Sequence, residues 1–273
     1  MSKPISEKVL QKYNKLKSEI KARKKLLVAF SGGVDSAVLA KIAQNVLGVN
    51  AWAVYINSET IPEYELQAAS KLAKELGINF EILSIEQLSD DDFTRNDINR
   101  CYFCRKKMAD KLKAFAQEKG ITTIAAGAQA SDLDDYRPGI RAFKEENIWH
   151  PFIELDVNKD EIREIAQYLG LSVAAKPSMA CLSSRINYGQ RITRDNLEMV
   201  GNAEDYLRGL GFSRYRARMH DKLIRIEVPT DELSLLLKYR EVIIKKLKEI
   251  GFTYITLDLE GFRTGSMNEA LEL

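Results

Sequence analysis

The strongest chemical signal in the sequence is a short segment of small and hydroxyl-bearing residues that follows an apolar run. The segment is Ser31-Gly32-Gly33-Val34-Asp35-Ser36. Adjacent glycines let the backbone turn sharply and bring its N–H groups close to a ligand. A helix that begins near Asp35 adds the positive end of its dipole. The lysine that characterises a Walker loop is missing, so the loop is of another type. The segment predicts a phosphate-binding loop, although a tight capped turn between a strand and a helix would use the same residue types.

Three cysteines form the second chemically promising group: Cys101 and Cys104 in a C-x-x-C pair, and Cys181 far downstream. The pair precedes a predicted helix, and helix N-termini favour thiolates. A redox pair, half of a zinc site and two small buried residues all fit this pattern. Zinc would need a fourth ligand, for which the sequence offers only His150 and His220. Three thiolates without a fourth ligand suit a [4Fe-4S] cluster whose open iron binds an external ligand such as hydrosulfide.

Basic residues alternate in the segment Arg214-Tyr215-Arg216-Ala217-Arg218. In a strand, side chains at every second position lie on the same face, so these arginines would line one face. Such a face either grips an anion, since guanidinium groups bind phosphate in a bidentate way, or forms a solvated basic edge. The pattern alone does not separate these two interpretations.

Apolar runs that alternate with amphipathic segments surround the loop motif. The predicted strands are 26–30, 51–56, 80–85 and 122–126, and the predicted helices are 36–47, 63–76 and 106–119. Continuous apolar strands separated by helices indicate an α/β fold with a doubly wound, mostly parallel sheet covered on both faces. Ligands in such sheets bind at the carboxyl ends of the strands, where Ser31 and Gly127 fall.

The pattern changes towards the C-terminus. A half-buried strand is predicted at 223–228, a helix at 231–250 and another strand at 254–259, which together indicate a smaller α+β domain. At the other end, four apolar residues at helical spacing predict an amphipathic helix, and they are Val9, Tyr13, Leu16 and Ile20. We therefore predict two domains, residues 1–185 with the parallel sheet and residues 186–273 for substrate binding or oligomerisation.

The composition limits the partners and the location that we expect. The 273 residues include 41 Lys and Arg against 39 Asp and Glu, a net charge of +2. This small excess is too weak for a bulk electrostatic grip on nucleic acid. The lysine-rich N-terminus does not resemble a signal peptide, and no apolar stretch approaches the roughly 18 residues that span a bilayer. We expect a cytoplasmic protein with reduced thiols and without a nucleic-acid or membrane partner.

The glycine-containing loop resembles the PP-loop of the ATP pyrophosphatase superfamily, which includes GMP synthetase, NAD synthetase, asparagine synthetase and tRNA thiolases. The resemblance implies an adenine nucleotide alpha hydrolase-like domain that cleaves ATP between the α and β phosphates. The implied phosphate-binding positions are Ala29, Ser31, Gly32, Gly33, Asp35 and Ser36. Backbone near Tyr55 and Gly127 would hold adenine and ribose, and Asp35 would help to position Mg²⁺. Asp135 and Arg137 would lie near the nucleotide, although a helix cap is the alternative for Asp135.

Three further segments narrow the resemblance and extend it over nearly the whole chain. They are residues 127–139, Cys181-Leu182-Ser183-Ser184-Arg185 and residues 261–269. Together with the loop they are similar to the LarE family, ATP-dependent sulfur transferases of nickel-pincer nucleotide cofactor synthesis. This resemblance implies that a carboxylate of pyridinium-3,5-biscarboxylic acid mononucleotide is adenylated and that sulfur then displaces AMP. It also implies that Arg216 and Arg218 grip the substrate phosphate, that sulfide or another sulfur donor is needed, and that the chain forms a homo-oligomer.

The LarE family supplies sulfur in two ways. In one, the cysteine that matches Cys181 gives up its own sulfur. In the other, three cysteines hold a [4Fe-4S] cluster whose open iron carries sulfide, and the presence of Cys101 and Cys104 favours this second way. Three other hypotheses stay open: a tRNA thiolase with the same loop and cluster, a nucleotide sensor without catalysis, and an amide-forming synthetase, which would leave the cysteines unexplained.

Overall fold

The chain divides into two units, each with its own β-sheet, in the computed structural model, which describes residues 4–130, 138–175, 181–263, 266, 267 and 269. The first unit comprises Met1–Ser58, Glu63–Ile85 and Cys101–Met179. The second unit comprises Glu59–Pro62, Glu86–Arg100 and Ala180–Leu273. The predicted domains, 1–185 and 186–273, divide the chain by function, and this functional division stays a prediction.

Four parallel strands form the sheet of the first unit. They are β1 (Leu26–Ala29), β2 (Ala51–Asn57), β3 (Asn79–Ser84) and β4 (Ile124–Ala126), in the order β3-β2-β1-β4. The central strand β1 is buried over its first three residues, as expected for a parallel sheet with both faces covered. Ala29 of β1 lies opposite Ala126 of β4, so the carboxyl ends of these two strands are adjacent.

Helices account for most of the remaining chain up to residue 168. They are α1 (Glu7–Ala22), α2 (Val34–Leu47), α3 (Glu63–Leu76), α4 (Asp91–Thr94), α5 (Arg100–Glu118), α6 (Pro138–Glu145), α7 (Pro151–Glu154) and α8 (Lys159–Tyr168). Helix α4 and the first residue of α5 belong to the second unit. The predicted apolar stripe of α1 is confirmed, because its four residues Val9, Tyr13, Leu16 and Ile20 are all buried. The stripe packs α1 onto the first unit, where Tyr13 meets Tyr168 of α8 edge-on.

A three-stranded mixed sheet forms the second unit together with three C-terminal helices. The strands are β5 (Arg216–His220), β6 (Leu223–Glu227) and β7 (Tyr254–Leu257), and the helices are α9 (Arg194–Gly209), α10 (Leu233–Lys238) and α11 (Arg240–Ile250). Strand β6 is central, antiparallel to β5 and parallel to β7. The predicted helix over 231–250 is interrupted at Tyr239, which caps both α10 and α11 and whose ring lies edge-on against Phe212.

The predicted fold class is confirmed: a mostly parallel four-stranded sheet is flanked by helices, and a small second sheet follows. One element starts earlier than the sequence indicates. Helix α5 begins at Arg100 instead of Lys106, so Cys101 and Cys104 lie inside its first turns rather than before it. None of the described helices combines the length and the apolar character that crossing a membrane requires.

Candidate active site

The phosphate-loop motif lies where the sheet and helix geometry place it, between the end of β1 and the start of α2. Gly32 has φ +71°, in the left-handed region that only glycine adopts without strain. A Cβ at this position would lie 3.0 Å from the Cβ of Ala69 in α3. Both the backbone conformation and the close approach of α3 therefore require glycine at position 32.

The serine hydroxyl groups of the loop are already ordered by hydrogen bonds within it. The N–H of Ser31 donates to Ser36 Oγ at 3.2 Å, and Ser36 Oγ donates to the carbonyl of Gly33 at 3.1 Å. These bonds fold the loop over the N-terminus of α2, whose first N–H groups have no acceptor within the helix. The loop therefore directs backbone donors and a helix dipole at one point, which suits an anion such as a phosphate.

Gly127 closes the loop from the side of β4. A Cβ on this residue would lie 2.9 Å from the backbone nitrogen of Ser36 and 3.0 Å from the carbonyl carbon of Asp35. No side chain fits there without moving the N-terminus of α2. The adjacent ends of β1 and β4 thus bring Gly127 against the loop, as its position after the fourth strand predicts.

Lys159 is a neighbour of the loop that the sequence analysis did not identify. Its Nζ lies 2.7 Å from each carboxylate oxygen of Asp35, and both side chains are about one-quarter exposed. Lys159 is the first residue of α8, which Asn158 and Glu161 cap in a reciprocal capping box. A cation at the positive end of a helix is unfavourable, and the pairing with Asp35 offsets this cost.

The other predicted nucleotide-binding positions lie at the same edge of the first unit or outside the described residues. Ala29 ends β1, and Tyr55 is buried in β2. Burial, and after it the negative charges of Glu65 and Glu63, raise the pKa of Tyr55 above its ordinary value, so its hydroxyl stays neutral. Asp135 and Arg137 lie outside the described residues, and their predicted roles stay predictions.

The C-x-x-C pair occupies one side of the first turns of α5, since residues three apart in a helix are neighbours. Neither cysteine forms a disulfide bond with a described residue, and Cys101 is exposed while Cys104 is half-buried. The Sγ of Cys104 lies 3.9 Å from the sulfur of Met108. Helix α6 packs closely on this turn, because a Cβ at Gly139 would lie 3.4 Å from the carbonyl oxygen of Cys101. The structure thus presents two thiols on a well-packed helix.

Cys181 belongs to the second unit and directly precedes the short 3-10 turn Leu182–Arg185. Its carbonyl accepts hydrogen bonds from Ser184 Oγ at 2.8 Å and from Arg185 Nη1 at 3.1 Å. Arg185 is only 1% exposed and makes two bonds to the carboxylate of Glu204, at 2.7 and 3.0 Å. The backbone of Cys181 is therefore tied to a buried ion pair.

Arg218, in β5, is held by a second buried carboxylate. Its Nε and Nη2 each donate to Glu227 at 3.1 Å, and its Nη1 donates to the carbonyl of Ser184 at 2.8 Å. Ser266 Oγ also donates to Glu227, at 2.8 Å. Burial lowers the pKa of Arg218 although Glu227 opposes this shift. Because Glu227 is fully buried and accepts two bonds from the guanidinium group of Arg218, it fixes the orientation of Arg218.

Arg216, two residues earlier on β5, is buried in a different way. Its Nη1 donates to the backbone carbonyl of Tyr215 at 2.8 Å, and its guanidinium lies 5.0 Å from the ring centroid of Phe262. Among the described residues, no carboxylate pairs with it. Burial, and after it the charge of Arg185, lower the pKa of Arg216 to about 10, so it stays positive at neutral pH. Arg214 lies before the strand and is exposed.

The charges around Cys181 do not balance. Arg185 and Arg218 each pair with a buried carboxylate, that of Glu204 and that of Glu227, whereas the buried Arg216 has no carboxylate partner among the described residues. A buried excess of positive charge is costly unless an anion compensates it. The second unit thus contains a buried positive charge that a phosphate or a carboxylate could compensate.

In residues 4–130, 138–175 and the described remainder, no three or more His, Cys, Asp or Glu side chains are grouped as metal ligands. The predicted set of Cys101, Cys104 and Cys181 therefore stays a prediction.

Several functional candidates escaped the sequence analysis. For Lys159, the local pattern Asn158-Lys159-Asp160-Glu161 marks a helix start but does not show its partner. Glu204 has no local signal, because its role depends on contacts with residues 19 positions before it and 13 positions after it. Ser266 lies in the segment 261–269, but its hydrogen bond to Glu227 was not predicted.

A parallel α/β sheet with a glycine-containing loop before a helix N-terminus, and without the Walker lysine, defines the PP-loop class of ATP-using enzymes. A family model described as NAD synthase matches residues 6–117. The pyridinium-3,5-bisthiocarboxylic acid mononucleotide synthase of Lactiplantibacillus plantarum is 38% identical over 94% of this chain and 93% of its own length. The chain therefore belongs to the LarE family of PP-loop enzymes.

Two further relatives extend over most of the chain. An uncharacterised protein of Synechocystis sp. is 40% identical over 90% of this chain and 92% of its own length. Another from Methanocaldococcus jannaschii is 30% identical over 93% of this chain and 98% of its own length. The similarity thus includes both units and not only the nucleotide-binding loop.

Proposed function

We propose that this protein is an ATP-dependent sulfur transferase that adenylates a carboxylate of pyridinium-3,5-biscarboxylic acid mononucleotide and converts it to a thiocarboxylate. The observation that carries the proposal is the phosphate-binding loop, residues 31–36, in a chain of the LarE family. The loop supplies the ATP chemistry. The buried Arg216 and Arg218 supply a site for an anionic substrate.

In the first step, a carboxylate oxygen of the substrate attacks the α-phosphorus of ATP. The bond from this phosphorus to the bridging oxygen breaks, and pyrophosphate leaves with the bonding electrons. The N–H groups of the loop and of α2 hold the phosphates. Lys159, now paired with Asp35, is placed to offset negative charge on the β and γ phosphates.

Asp35 also offers an oxygen ligand of the kind that Mg²⁺ prefers, and its partial exposure leaves room for a hydrated ion. When bound, Mg²⁺ would offset the charge that develops on pyrophosphate. The chain's own contribution is to orient the triphosphate between the loop and Lys159, so that the α-phosphorus is presented to the attacking carboxylate.

The second unit supplies the substrate contacts. Arg216 is buried, positively charged and without a described carboxylate partner, so a phosphate would complete its charge balance. Arg218 is held in place by Glu227 and lies on the same face of β5 as Arg216, two positions away. We assign the phosphate of the mononucleotide to these two arginines, with Arg216 as the main contact.

In the second step, sulfur attacks the activated carboxyl carbon, a carbon–sulfur bond forms, and AMP leaves as the carbon–oxygen bond breaks. We place Cys101, Cys104 and Cys181 as ligands of a [4Fe-4S] cluster that, when bound, would supply an open iron for sulfide. The donor set fits this group, because none of the three cysteines forms a disulfide bond within the described part of the chain and two of them are neighbours on α5. The alternative source is the sulfur of Cys181 itself.

The decisive experiment gives the purified protein ATP, Mg²⁺ and the mononucleotide under anaerobic conditions. We expect AMP and pyrophosphate to form together with the thiocarboxylate, and we expect Gly32→Ala to stop pyrophosphate release by distorting the loop. ATP returned intact would favour a sensor. Activity that appears only with RNA would favour a tRNA thiolase.

The sulfur source has its own test. Intact-protein mass spectrometry after one turnover would show Cys181 lighter by the elements of H₂S if it is the donor, and unchanged if the cluster carries sulfide. Substitution of any one of the three cysteines by Ala should abolish the visible absorbance of a reconstituted cluster. A brown and active Cys101→Ala variant would contradict the cluster. A cytoplasmic location stays a prediction from the sequence, and a homo-oligomer and a sulfur donor stay predictions of the family resemblance.

A further inference from the structure

The turn that follows Cys181 is held through its backbone carbonyls, and each of three carbonyls accepts from a different buried guanidinium group. The pairs are Arg185 with Cys181 at 3.1 Å, Arg100 with Ser183 at 3.0 Å, and Arg218 with Ser184 at 2.8 Å. All three arginines are at least nine-tenths buried. Two of these donors, Arg100 and Arg218, come from distant parts of the sequence, so the tertiary structure fixes the position of this turn.

Arg185 has the clearest link to the thiol, because it binds the carbonyl of Cys181 itself. Its charge is balanced by Glu204, which is 2% exposed. Two well-packed apolar residues in place of a buried ion pair are often as stable or more so, because the desolvation of both charges is avoided. The stability of the fold therefore does not by itself account for this pair.

Glu204 makes one more bond that extends the connection. Its Oε1 accepts from the backbone N–H of Ala217 at 3.1 Å, in addition to the bond from Arg185 Nε. Ala217 lies in β5 between Arg216 and Arg218. One carboxylate on α9 thus ties the Cys181 turn to the strand that carries the anion-binding arginines.

We propose that Arg185 and Glu204 are positioning residues for the sulfur-transfer step. They fix the distance between Cys181 and Arg216, so that the sulfur at Cys181 meets the activated carboxyl group of a substrate whose phosphate Arg216 holds. This inference rests on the proposed function. It goes beyond it by assigning the accuracy of the second step to an ion pair that binds the backbone of Cys181.

The proposal predicts that the two steps separate when the pair is removed. Adenylation uses the loop of the first unit, so pyrophosphate release should largely continue. Sulfur transfer should fall, and water should then hydrolyse the waiting acyl adenylate. The ratio of pyrophosphate to thiocarboxylate should rise about tenfold or more, since a misplacement of about 1 Å costs up to roughly 100-fold.

The test uses the double variant R185M/E204Q in the full chain. It removes both buried charges together, and Gln keeps an acceptor for the N–H of Ala217. We expect a melting temperature near that of the wild type, a raised ratio, and faster alkylation of Cys181 by iodoacetamide. Peptide mapping makes Cys101 and Cys104 internal references, whose alkylation should not change. The matched control is D205N/R208M, an exposed ion pair on the same helix α9.

A second variant covers the case in which the double variant does not fold. R185K keeps the charge but loses the planar fork, so it should give an intermediate ratio and an intermediate alkylation rate. A wild-type ratio and a wild-type alkylation rate in folded R185M/E204Q or R185K would overturn the proposal. The proposal would also be overturned if each single variant lost both sulfur transfer and stability and the double variant R185M/E204Q recovered both. If the wild type itself releases no pyrophosphate, the proposed function fails, while the alkylation rates still decide whether the pair positions Cys181.

Discussion

The phosphate loop and the Cys181 turn serve different steps of the proposed reaction, and they are held in place in opposite ways. The loop is assembled almost entirely from six consecutive residues, and its bonds join atoms at most five positions apart. The Cys181 turn is held by side chains from residue 100 to residue 218. One site is local in sequence, and the other depends on the whole second unit.

The two regions also differ in how they treat charge. The ion pair beside the loop, Lys159 with Asp35, is about one-quarter exposed on each side, so solvent screens it. The pairs behind Cys181 are almost completely buried, so neither partner can be lost without leaving a bare charge in the interior. We infer that substitutions near the loop affect mainly activity, whereas substitutions that remove only one partner of a pair behind Cys181 affect both stability and activity.

The largest expected effect tests the buried side of this comparison. Glu227→Gln removes the countercharge of Arg218, and we expect the free energy of unfolding to fall by about 3 kcal/mol or more, as for other broken buried pairs. Urea unfolding of the full chain measures it. Glu241→Gln, at a carboxylate whose side chain is 86% exposed, is the matched control and should change little. If the free energy of unfolding fell no further in Glu227→Gln than in Glu241→Gln, burial would not distinguish the two regions.

The next effect tests the exposed side. Lys159→Met should change stability by less than about 1 kcal/mol, because the ion pair with Asp35 is screened. Pyrophosphate release should fall by about 10- to 100-fold, since a cation near the departing phosphates is lost.

Steady-state rates and urea unfolding on the same preparation separate these two quantities for Lys159. Lys8→Met, in a lysine whose side chain is 76% exposed, provides a control. Equal losses of stability and rate would show that Lys159 is structural, and an unchanged rate would remove it from the site.

The same contrast explains how much of the molecule the sequence could predict. The phosphate loop, the parallel sheet and the apolar stripe of α1 follow from patterns over fewer than about 20 residues, and each was predicted. Helix α5 was predicted to start at Lys106, whereas it starts at Arg100 and includes the segment Cys101-Tyr102-Phe103-Cys104, which was interpreted as preceding the helix.

The contacts of the second site had no comparable signal. Arg216 and Arg218 were identified by their alternation in a strand, but alternation could not show that one has a carboxylate partner and the other has none among the described residues. Glu204 was missed, because pairing over 19 positions is a property of the tertiary fold. The same reason applies beside the phosphate loop, where Lys159 pairs with Asp35 over 124 positions. Long-range ion pairs are the part of a site that local pattern does not encode.

The smallest effect concerns a buried group of the first unit that carries no charge. Burial lowers the pKa of His150 to about 4, and the charges of Lys144 and Arg105 act in the same direction. The unfolded chain binds a proton below its ordinary pKa near 6.5, whereas the folded chain stays neutral until about pH 4. The contribution of neutral His150 is therefore complete above about pH 6.5 and is lost as the pH falls towards 4.

Between pH 8 and pH 6, this group should cost on the order of 1 kcal/mol of stability. His150→Gln, which does not titrate, should show a correspondingly flatter dependence, measured as the difference between variant and wild type in urea unfolding at each pH. His220→Gln serves as the comparison in the second unit, where burial also lowers the pKa of the histidine. If the free energies of unfolding of the wild type and His150→Gln changed in parallel with pH, His150 would not be both neutral and buried in the folded protein. The first unit would then depend on buried charge as much as the second does.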